Sequence, residues 1–387
     1  MLPGIGVFGT GNIVKVVVPF LKAKGFKIEA IWGRTLAEAE QVSKELSIPF
    51  FTNKIDDVLL RKDVDLIFIV CSPNLHSQIA VKALGIGKHV LCDKPSGLCQ
   101  SEALKMVRAA QYYPSLISIV NHSLRFLPAF SQMRKAILDG YLGKDNEITV
   151  VDVRVQTGSL LNDIYDWLCD ESMGGGILTL VGSHMIDLVS FLTHQKATQV
   201  HGLIRTFTKN TSTVKGIRNI TSSDFASFQM QMSKGTLVTV TLNSHVPTTF
   251  SQEVLVCGKS GYLVVRGGDL YGCKENGDKE DVIYLDVENL KSHESTQGVA
   301  KPYVKGLFKM VGALREAFLP LEDKRGWVKA PVALAATFED SLYVQAVIDA
   351  LRKSSVNREW TRVRVITEEP DPNPILSAAV RRSGISL

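Results

Sequence analysis

The chain has 387 residues, of which 45% are hydrophobic and 21% charged, an ordinary balance for a globular protein. This length exceeds what one hydrophobic core usually serves, so it predicts two domains. The net charge of +5 is mild and the basic residues are scattered, which argues against a nucleic-acid partner. No run of about 20 apolar residues is present, so the sequence predicts no membrane-spanning segment.

The first third of the chain alternates short apolar runs with helical patterns. The predicted strands lie at 5–8, 26–34, 48–51, 64–70, 89–93 and 116–121, and the predicted helices at 14–24, 35–46, 55–61, 75–87 and 99–113. The run at 64–70 is apolar throughout, as expected for a strand buried on both faces. This alternation predicts a doubly wound parallel sheet.

The pattern changes near residue 146. Longer strands of alternating polarity are predicted at 147–157, 201–208, 226–232, 236–246 and 254–265, which is typical of an antiparallel sheet with one open face. Helices are predicted at 175–193, 302–318 and 331–353. Residues 274–299 are polar and weakly patterned, so we interpret them as a surface excursion.

A glycine-rich turn follows the first strand. Gly9 and Gly11 enclose Thr10, and Asn12 and Ile13 lead into the helix. Gly9 permits a tight turn, Gly11 lets a pyrophosphate approach the backbone, and the helix amides bind its charge. We predict a dinucleotide site here; the alternative is an ordinary strand-to-helix turn.

The end of the second strand indicates which dinucleotide binds. An acidic side chain there would hold the ribose 2′-hydroxyl of NAD, but the sequence has Arg34 and Thr35. Arg34 is suited to a 2′-phosphate and to stacking on adenine. We therefore predict NADP, with NAD as the alternative. Thr35 and Glu38 also match a helix capping box.

Asp93, Lys94 and Pro95 stand directly after the apolar strand that begins at His89. A charged pair and a proline do not suit a buried strand, whereas ligands bind at the carboxyl edge of a parallel sheet. We predict that this turn presents Lys94 to a ligand. Pro95 shapes the turn, and a cis bond before it is one option.

This part of the chain resembles a known family. The matching residues are Ser72-Pro73-Asn74, His76, Ala83-Leu84, Gly87-Lys88-His89-Val90 and Asp93-Lys94-Pro95, and they resemble the glucose–fructose oxidoreductase, inositol dehydrogenase and dihydrodiol dehydrogenase superfamily. The usual family triplet is Glu-Lys-Pro, so Asp93 is one carbon shorter. Segments 200–207 and 215–225 look like a branch of animal proteins that contain a glucose–fructose oxidoreductase domain.

The resemblance extends to the helix after the glycine triplet at 174–176, whose histidine is catalytic in the family. It implies that Lys94 steadies the substrate oxygen and that His184 takes the hydroxyl proton as hydride leaves. In sugar-oxidising members the residue four before this histidine is an aspartate, whereas this chain has Leu180. The implied catalytic set is therefore partial. We assign Asp187, one turn later, a structural role.

The glycine motif and the resemblance together imply a set of cofactor contacts: Gly9, Thr10, Gly11, Asn12, Ile13, Arg34, Thr35, Ser72, Pro73, Asn74, His76, Asp93, Lys94 and Pro95. Further candidates for the substrate pocket are Leu180, Asn121, Arg125, Tyr165 and Trp167. Tyr165 and Trp167 are candidates for a wall on which a sugar ring stacks. For Asn121, Arg125, Tyr165 and Trp167 a structural role is the interpretation we favour.

The implied architecture is a Rossmann domain over 1–122, an open-faced sheet domain over 123–367 whose last helices pack back on the Rossmann domain, and an arm over 368–387. The open face predicts a homodimer. One predicted function is an NADP-dependent oxidoreductase acting on a secondary alcohol or carbonyl of a sugar, polyol or related small molecule. The alternative is an NADP-binding protein with little catalysis, working as a redox sensor, scaffold or partner-binding module.

The six cysteines form no CxxC pair and show no zinc-ligand spacing, so we expect reduced thiols and no bound metal. The start of the chain has no signal-peptide pattern. We therefore expect a cytoplasmic protein. Sequons at Asn121, Asn210 and Asn219 support only the minor alternative of a secreted, matrix-associated protein.

Overall fold

The computed structural model describes residues 2–143, 147–162, 164–210, 219–247, 250–287, 298–319 and 330–369. Nearly all of the predicted arm, and residues 288–297 of the predicted excursion, lie outside the described residues.

The first sheet is parallel and belongs to the amino-terminal domain. Its strands are β1 (Gly4–Phe8), β2 (Lys27–Trp32), β3 (Phe51–Thr52), β4 (Leu66–Ile69), β5 (His89–Cys92) and β6 (Ser118–Val120). Within the described residues their order is β3-β2-β1-β4-β5-β6. The order reverses between β1 and β4, which creates the crevice where ligands bind in such sheets. The prediction of a doubly wound parallel sheet is confirmed.

Helices cover both faces of this sheet. They are α1 (Asn12–Ala23), α2 (Leu36–Glu45), α3 (Ile55–Leu59), α4 (His76–Gly85) and α5 (Gln100–Tyr112). On one face, Val14 and Val17 of α1 join the core side chains of the strands. On the other face, Ile79 of α4 and Met106 of α5 do the same. Because the strands are buried on both faces, their sequences are apolar throughout.

The second sheet is mostly antiparallel. Its strands are β7 (Ile148–Gln156), β8 (Ala197–Arg205), β9 (Phe225–Met232), β10 (Leu237–Asn243), β11 (Ser251–Gly258), β12 (Gly261–Arg266), β13 (Asp269–Lys274), β14 (Asp281–Tyr284) and β15 (Thr361–Arg362). Their order is β14-β13-β12-β11-β7-β10-β9-β8-β15 in the described part of the chain. β7 and β10 pair in parallel. The polar segment predicted as a surface excursion contains β14, an edge strand that pairs with β13.

The remaining helices pack against the cores of the two domains. They are α6 (Pro128–Leu138), α7 (Ser183–Thr193), α8 (Lys301–Phe318) and α9 (Phe338–Asn357). α6, α7 and α9 pack on one face of the second sheet, whereas Met310 and Val311 of α8 join the core of the first domain. α9 begins later than predicted, because Thr337 and Asp340 form a capping box that fixes its start.

One helical stretch, Glu171–Thr193, is long and apolar enough to cross a membrane by composition. In the structure 94% of its most apolar part is buried within the protein. This stretch is a core helix of the second domain, and it carries His184 to the cleft between the domains.

Candidate active site between the two domains

The glycine turn leaves its backbone open to a ligand. Gly9 has a φ of +138°, and a Cβ there would lie 2.8 Å from the Val70 carbonyl oxygen. Gly11, by contrast, would place a Cβ where no atom lies within 4 Å. α1 starts at Asn12, so its free amides face the same space. The turn therefore suits the close approach of a pyrophosphate.

A cleft of about 640 Å³ extends from this turn. Its first wall comes from the ends of the parallel strands and includes Gly9, Thr10, Gly11, Trp32, Arg34, Cys71, Ser72 and Asn74. The opposite wall comes from the second domain and includes Tyr165, Asp166, Trp167, Asp170 and Met173. Pro73 is buried beside Gly174 and fixes the loop that carries Ser72 and Asn74.

Arg34 is exposed at the rim of this cleft. Its Nη2 atom lies 3.3 Å from Oε1 of Glu38, and the Arg34 side chain is 76% exposed. Thr35 Oγ1 accepts a hydrogen bond from the Glu38 amide at 3.2 Å. The Glu38 carboxylate therefore pairs with Arg34. The Glu38 amide makes one of the two hydrogen bonds of the predicted capping box. Glu38 lines the cleft beside Arg34 and was missed in the sequence, where it was interpreted only as part of that cap.

His76 was predicted to contact the cofactor, but its side chain is buried. Nδ1 lies 2.7 Å from the Pro95 carbonyl oxygen, and Nε2 lies 2.8 Å from the Cys71 carbonyl oxygen. The ring thus ties the loop after β4 to the turn after β5. This contact makes His76 a residue that shapes the edge of the sheet rather than one that faces the cleft.

Lys94 lies in a second cavity, of about 330 Å³, deeper between the domains. The Lys94–Pro95 peptide is cis. The ammonium donates a hydrogen bond to the Leu180 carbonyl oxygen. Burial lowers the pKa of Lys94 to about 8, and the nearby Asp93 opposes that shift. Because this value lies above neutrality, Lys94 is mainly protonated at pH 7.

Asp93 supports this turn from the side. Its Oδ1 atom accepts hydrogen bonds from the Lys94 amide at 2.9 Å and from Asn121 Nδ2 at 3.1 Å. Asn121 lines the same cavity, and its Oδ1 atom is buried without a partner among the described residues. Ile13 also lines this cavity, so the glycine turn and the lysine pocket meet at the start of α1.

His184 lines the same cavity as Lys94. It follows a π-helical turn at Leu178–Gly182, a feature often found at functional sites. Burial lowers the pKa of His184 well below its ordinary value, and the charge of Lys94 lowers it further. The imidazole is therefore neutral near pH 7 and has a free nitrogen lone pair for a proton. Nδ1 has no hydrogen-bond partner in the described part of the chain.

The rest of the cavity is largely apolar. Tyr303 of α8 lies against His184, with ring centroids 4.8 Å apart, and Phe250 lies against Tyr303 at 5.7 Å. Leu180 completes this wall. Tyr303 and Phe250 were missed because they come from parts of the sequence far from any motif. The packing of α8 brings Tyr303 here, and Phe250 directly precedes β11.

The weaker candidates for the substrate pocket lie in different places, and a structural role is the one favoured for them in the sequence. Tyr165 and Trp167 line the larger cleft beside the glycine turn and not the cavity that holds Lys94. Arg125 lies behind His184, where its Nε and Nη2 atoms are 2.8 and 2.5 Å from the two carboxylate oxygens of Asp187. Both side chains are buried, so this pair holds α7 in place. Asp187 has the structural role that was assigned to it, with Arg125 as its partner.

Among the described residues, no group of three or more His, Cys, Asp or Glu side chains is arranged to hold a metal ion.

Comparison with known proteins defines the class to which this fold and cleft belong. Residues 4–121 match the model of the "Oxidoreductase family, NAD-binding Rossmann fold", and residues 130–264 match the "GFO/IDH/MocA C-terminal domain". The chain therefore belongs to the GFO/IDH/MocA oxidoreductase family, and its first domain is the NAD-binding Rossmann domain of that family.

Particular relatives cover the whole chain. Glucose-fructose oxidoreductase domain-containing protein 1 of Xenopus tropicalis is 49% identical over 393 residues, covering 100% of both chains. Glucose-fructose oxidoreductase domain-containing protein 2 of Homo sapiens is 46% identical over 388 residues, again covering 100% of both. The resemblance inferred from the sequence is confirmed.

Solved structures share the fold at lower identity. Levoglucosan dehydrogenase in complex with NADH and L-sorbose has a TM-score of 0.77 and 17% identity, and the match covers 94% of this chain and 99% of that one. An oxidoreductase domain protein from Kribbella flavida has a TM-score of 0.76 and 21% identity, with the same coverage. These matches support the two-domain fold alone.

Proposed function

We propose that the protein is an NADP-dependent oxidoreductase that transfers hydride between the nicotinamide and a secondary alcohol or carbonyl of a sugar, polyol or related small molecule. The observation that carries this proposal is the pairing of Lys94 and His184 across one cavity that adjoins the glycine turn. A levoglucosan dehydrogenase among the structural relatives has been solved with NADH and a sugar, which agrees with this class of reaction.

The residues present fit a dinucleotide. Gly11 leaves open space at the backbone, and the start of α1 supplies amides for the pyrophosphate. The larger cleft has room for the adenosine half, with Trp32 and Arg34 on its wall. Ile13, Asp93 and Asn121 would line the nicotinamide end. When bound, the dinucleotide supplies the hydride acceptor or donor.

The two polar side chains of the cavity have complementary roles in this proposal. The Lys94 ammonium donates a hydrogen bond to the substrate oxygen and stabilises negative charge that develops there. The neutral His184 takes the hydroxyl proton during oxidation and returns it during reduction. His184 is buried and Lys94 is half-buried, so water screens their interactions with the substrate less than at the surface.

The first experiment identifies the cofactor and the reaction. The purified chain is denatured and any released nucleotide is identified by mass. Absorbance at 340 nm is then followed with NADP and NAD against sugars, polyols and dihydrodiols. Turnover with one of these alcohols supports the proposal. Tight nucleotide binding without turnover across the panel contradicts it and favours the binding protein described next.

The second candidate is an NADP-binding protein with little catalysis, which acts as a redox sensor, scaffold or partner-binding module. Leu180 favours it, because an apolar side chain stands where a polar partner for the substrate would be useful. The hydrogen bond from Lys94 to the Leu180 carbonyl also favours it, because this bond occupies part of the lysine's donor capacity. Turnover that depends on Lys94 would rule this candidate out.

The choice between NADP and NAD can be tested at the rim of the larger cleft. Arg34→Ala removes the cation proposed to bind the 2′-phosphate and is expected to weaken NADP binding about tenfold or more, a loss of roughly 1.4 kcal/mol, with little effect on NAD. Glu38→Gln removes a carboxylate that competes for Arg34 and is expected to strengthen NADP binding by a few fold. Fluorescence titration with both nucleotides measures these changes. Equal losses for NADP and NAD in Arg34→Ala would contradict the assignment.

We also propose a homodimer formed through the open face of the second sheet. Val150 of β7 pairs in register with Leu237 of β10, and each is 40% exposed on that face. Such neighbouring apolar side chains favour an interface. Light scattering is expected to give twice the chain mass, and Leu237→Lys is expected to shift it toward the monomer. A monomeric parent chain would contradict this proposal.

We also propose that the protein is cytoplasmic. All six cysteines are free in the structure, as in a reducing compartment. Of the three sequons, Asn121 is buried beside Asp93 and is not accessible to glycosylation. A fusion to a fluorescent protein followed by imaging in cells tests this placement, and a secreted product would contradict it.

A further inference from the structure

A third cavity, of about 310 Å³, lies behind α7 and is separate from the two cavities already described. Its charged walls are formed by Arg125, Arg134, Lys196 and Asp340, and His194 and Phe191 complete it. No function has been assigned to these residues except the structural role of Arg125. Its volume is at the lower end of the range of small-molecule sites.

Two guanidinium groups share one aromatic ring in this cavity. The Arg125 guanidinium carbon lies 5.1 Å from the centre of the Phe191 ring, and that of Arg134 lies 4.7 Å from it. The two guanidinium groups carry like charges near one ring, so they repel one another. Burial and the charge of Arg125 together lower the pKa of Arg134, although an arginine remains protonated at neutral pH. The cavity therefore concentrates positive charge.

The existing carboxylates do not balance this charge. Asp187 is engaged by Arg125, and Asp340 lies 3.0 Å from Arg125 and 3.3 Å from Lys196. Arg134 has no ion pair among the described residues, and its Nε atom is buried without a hydrogen-bond partner there. Three cationic side chains are thus close to two carboxylates, and within the described residues Arg134 is the cation that has no carboxylate partner.

Two nearby features do not cancel the excess. His194 ends α7, and burial together with Arg134 lowers its pKa, so the imidazole is neutral. The carboxyl end of α7 contributes a partial negative charge of about half an elementary charge. This is smaller than the excess of one full cation, so the local field still attracts an anion.

We propose that this cavity binds a small oxyanion, the phosphate or carboxylate group of a metabolite, with Arg134 as its main partner. A guanidinium binds such groups through two parallel hydrogen bonds, which supplies both affinity and orientation. Lys196, which is half exposed, is positioned to close on the same group. Arg125 Nη1 is held only by a long 3.4 Å contact with the Leu334 carbonyl, so it is a further donor.

The test measures direct binding and does not depend on the oxidoreductase proposal. Isothermal titration at low ionic strength uses three probes: inorganic phosphate, glycerol 3-phosphate and succinate. We expect saturable binding of at least one probe. Binding of the two phosphates alone identifies a phosphate ligand, and binding of succinate alone identifies a carboxylate ligand.

Matched variants locate the site. Arg134→Met keeps the aliphatic stem near Phe191 and is expected to weaken binding at least tenfold. Arg134→Lys keeps the charge but not the paired donors, so it is expected to weaken binding by an intermediate amount. This variant replaces Arg134→Met in the test if the methionine variant folds poorly. Arg315→Met removes a partly exposed arginine that pairs with Glu316 on α8, and it is expected to change binding by less than twofold. Arg34→Met reports any anion that binds in the dinucleotide cleft instead.

Three results would overturn the proposal. They are no saturable binding of any probe, binding that survives in both folded Arg134 variants, and binding lost in Arg34→Met but not in the Arg134 variants. The last result would place the anion at the dinucleotide cleft instead.

Discussion

Lys94→Met and His184→Gln are each expected to lower turnover about 10²–10⁴-fold, the range of general acid–base catalysis. The reason is that each variant removes one of the two polar groups that would face the reacting oxygen in the apolar cavity. Nucleotide binding should persist, because the glycine turn and the larger cleft are untouched. The measurement is the 340 nm assay with the alcohol that the panel identifies, beside a nucleotide titration.

The pH profile separates the two residues. The pKa of Lys94 is about 8, lowered by burial, and its protonated form is the proposed donor. Activity is therefore expected to be constant near neutrality and to fall as the pH rises above about 8. Lys94→Arg stays protonated and should lose this fall even if its overall rate is low. Because the pKa of His184 lies well below its ordinary value, the acid limb should appear only at low pH.

A control variant tests whether the removal of any lysine would change the rate and the pH profile of turnover. Lys82→Met removes an exposed lysine that pairs with Asp56 on the surface of the first domain. It should leave the rate and the pH profile unchanged. Full turnover in both Lys94→Met and His184→Gln would show that this cavity is not the catalytic site, whatever nucleotide the protein binds.

Features encoded by adjacent residues could be predicted from the sequence. The glycine turn, the strand ends and the Asp93-Lys94-Pro95 turn depend on local backbone rules and on the burial of parallel strands. The parallel order of the first sheet followed from the alternation of strands and helices. His184 was found only through the family resemblance, because a single histidine on an apolar helix carries no signal of its own.

Features that depend on tertiary packing could not be predicted. Tyr303 is one of many aromatic residues in the sequence, and only the docking of α8 places it against His184. Trp167 follows the second domain's first strand and was only a weaker candidate for a pocket wall, because nothing in the sequence shows that its loop turns toward the glycine turn. The structural role favoured for Arg125 came without a partner, because Asp187 lies 62 positions away in the sequence.

Arg125→Met is expected to lower the free energy of unfolding by about 3–5 kcal/mol, the cost of breaking a buried ion pair from one side. Asp187 is 2% exposed, so without Arg125 its carboxylate is left in the interior, where the nearest other cationic candidate is His122 at 3.9 Å. Burial lowers the pKa of His122, so it does not replace the lost charge near neutral pH. Urea unfolding followed by circular dichroism measures the change.

The double variant Arg125→Met/Asp187→Leu tests whether the loss arises from the unpaired charge. Replacing both partners with apolar side chains removes that charge, so we expect the double variant to be more stable than Arg125→Met alone. Asp340 keeps Lys196 and the Thr337 amide as partners in this background.

Arg266→Met, which breaks exposed pairs with Glu253 and Glu280, is expected to cost less than about 1 kcal/mol per pair. The loss of unfolding free energy in the double variant is compared with the sum of the losses in Arg125→Met and Asp187→Leu. If the two were equal, the pair would contribute by packing α7 rather than by charge. Asp187 lies one turn after His184 on the same helix, so turnover of the double variant would then report whether His184 is displaced.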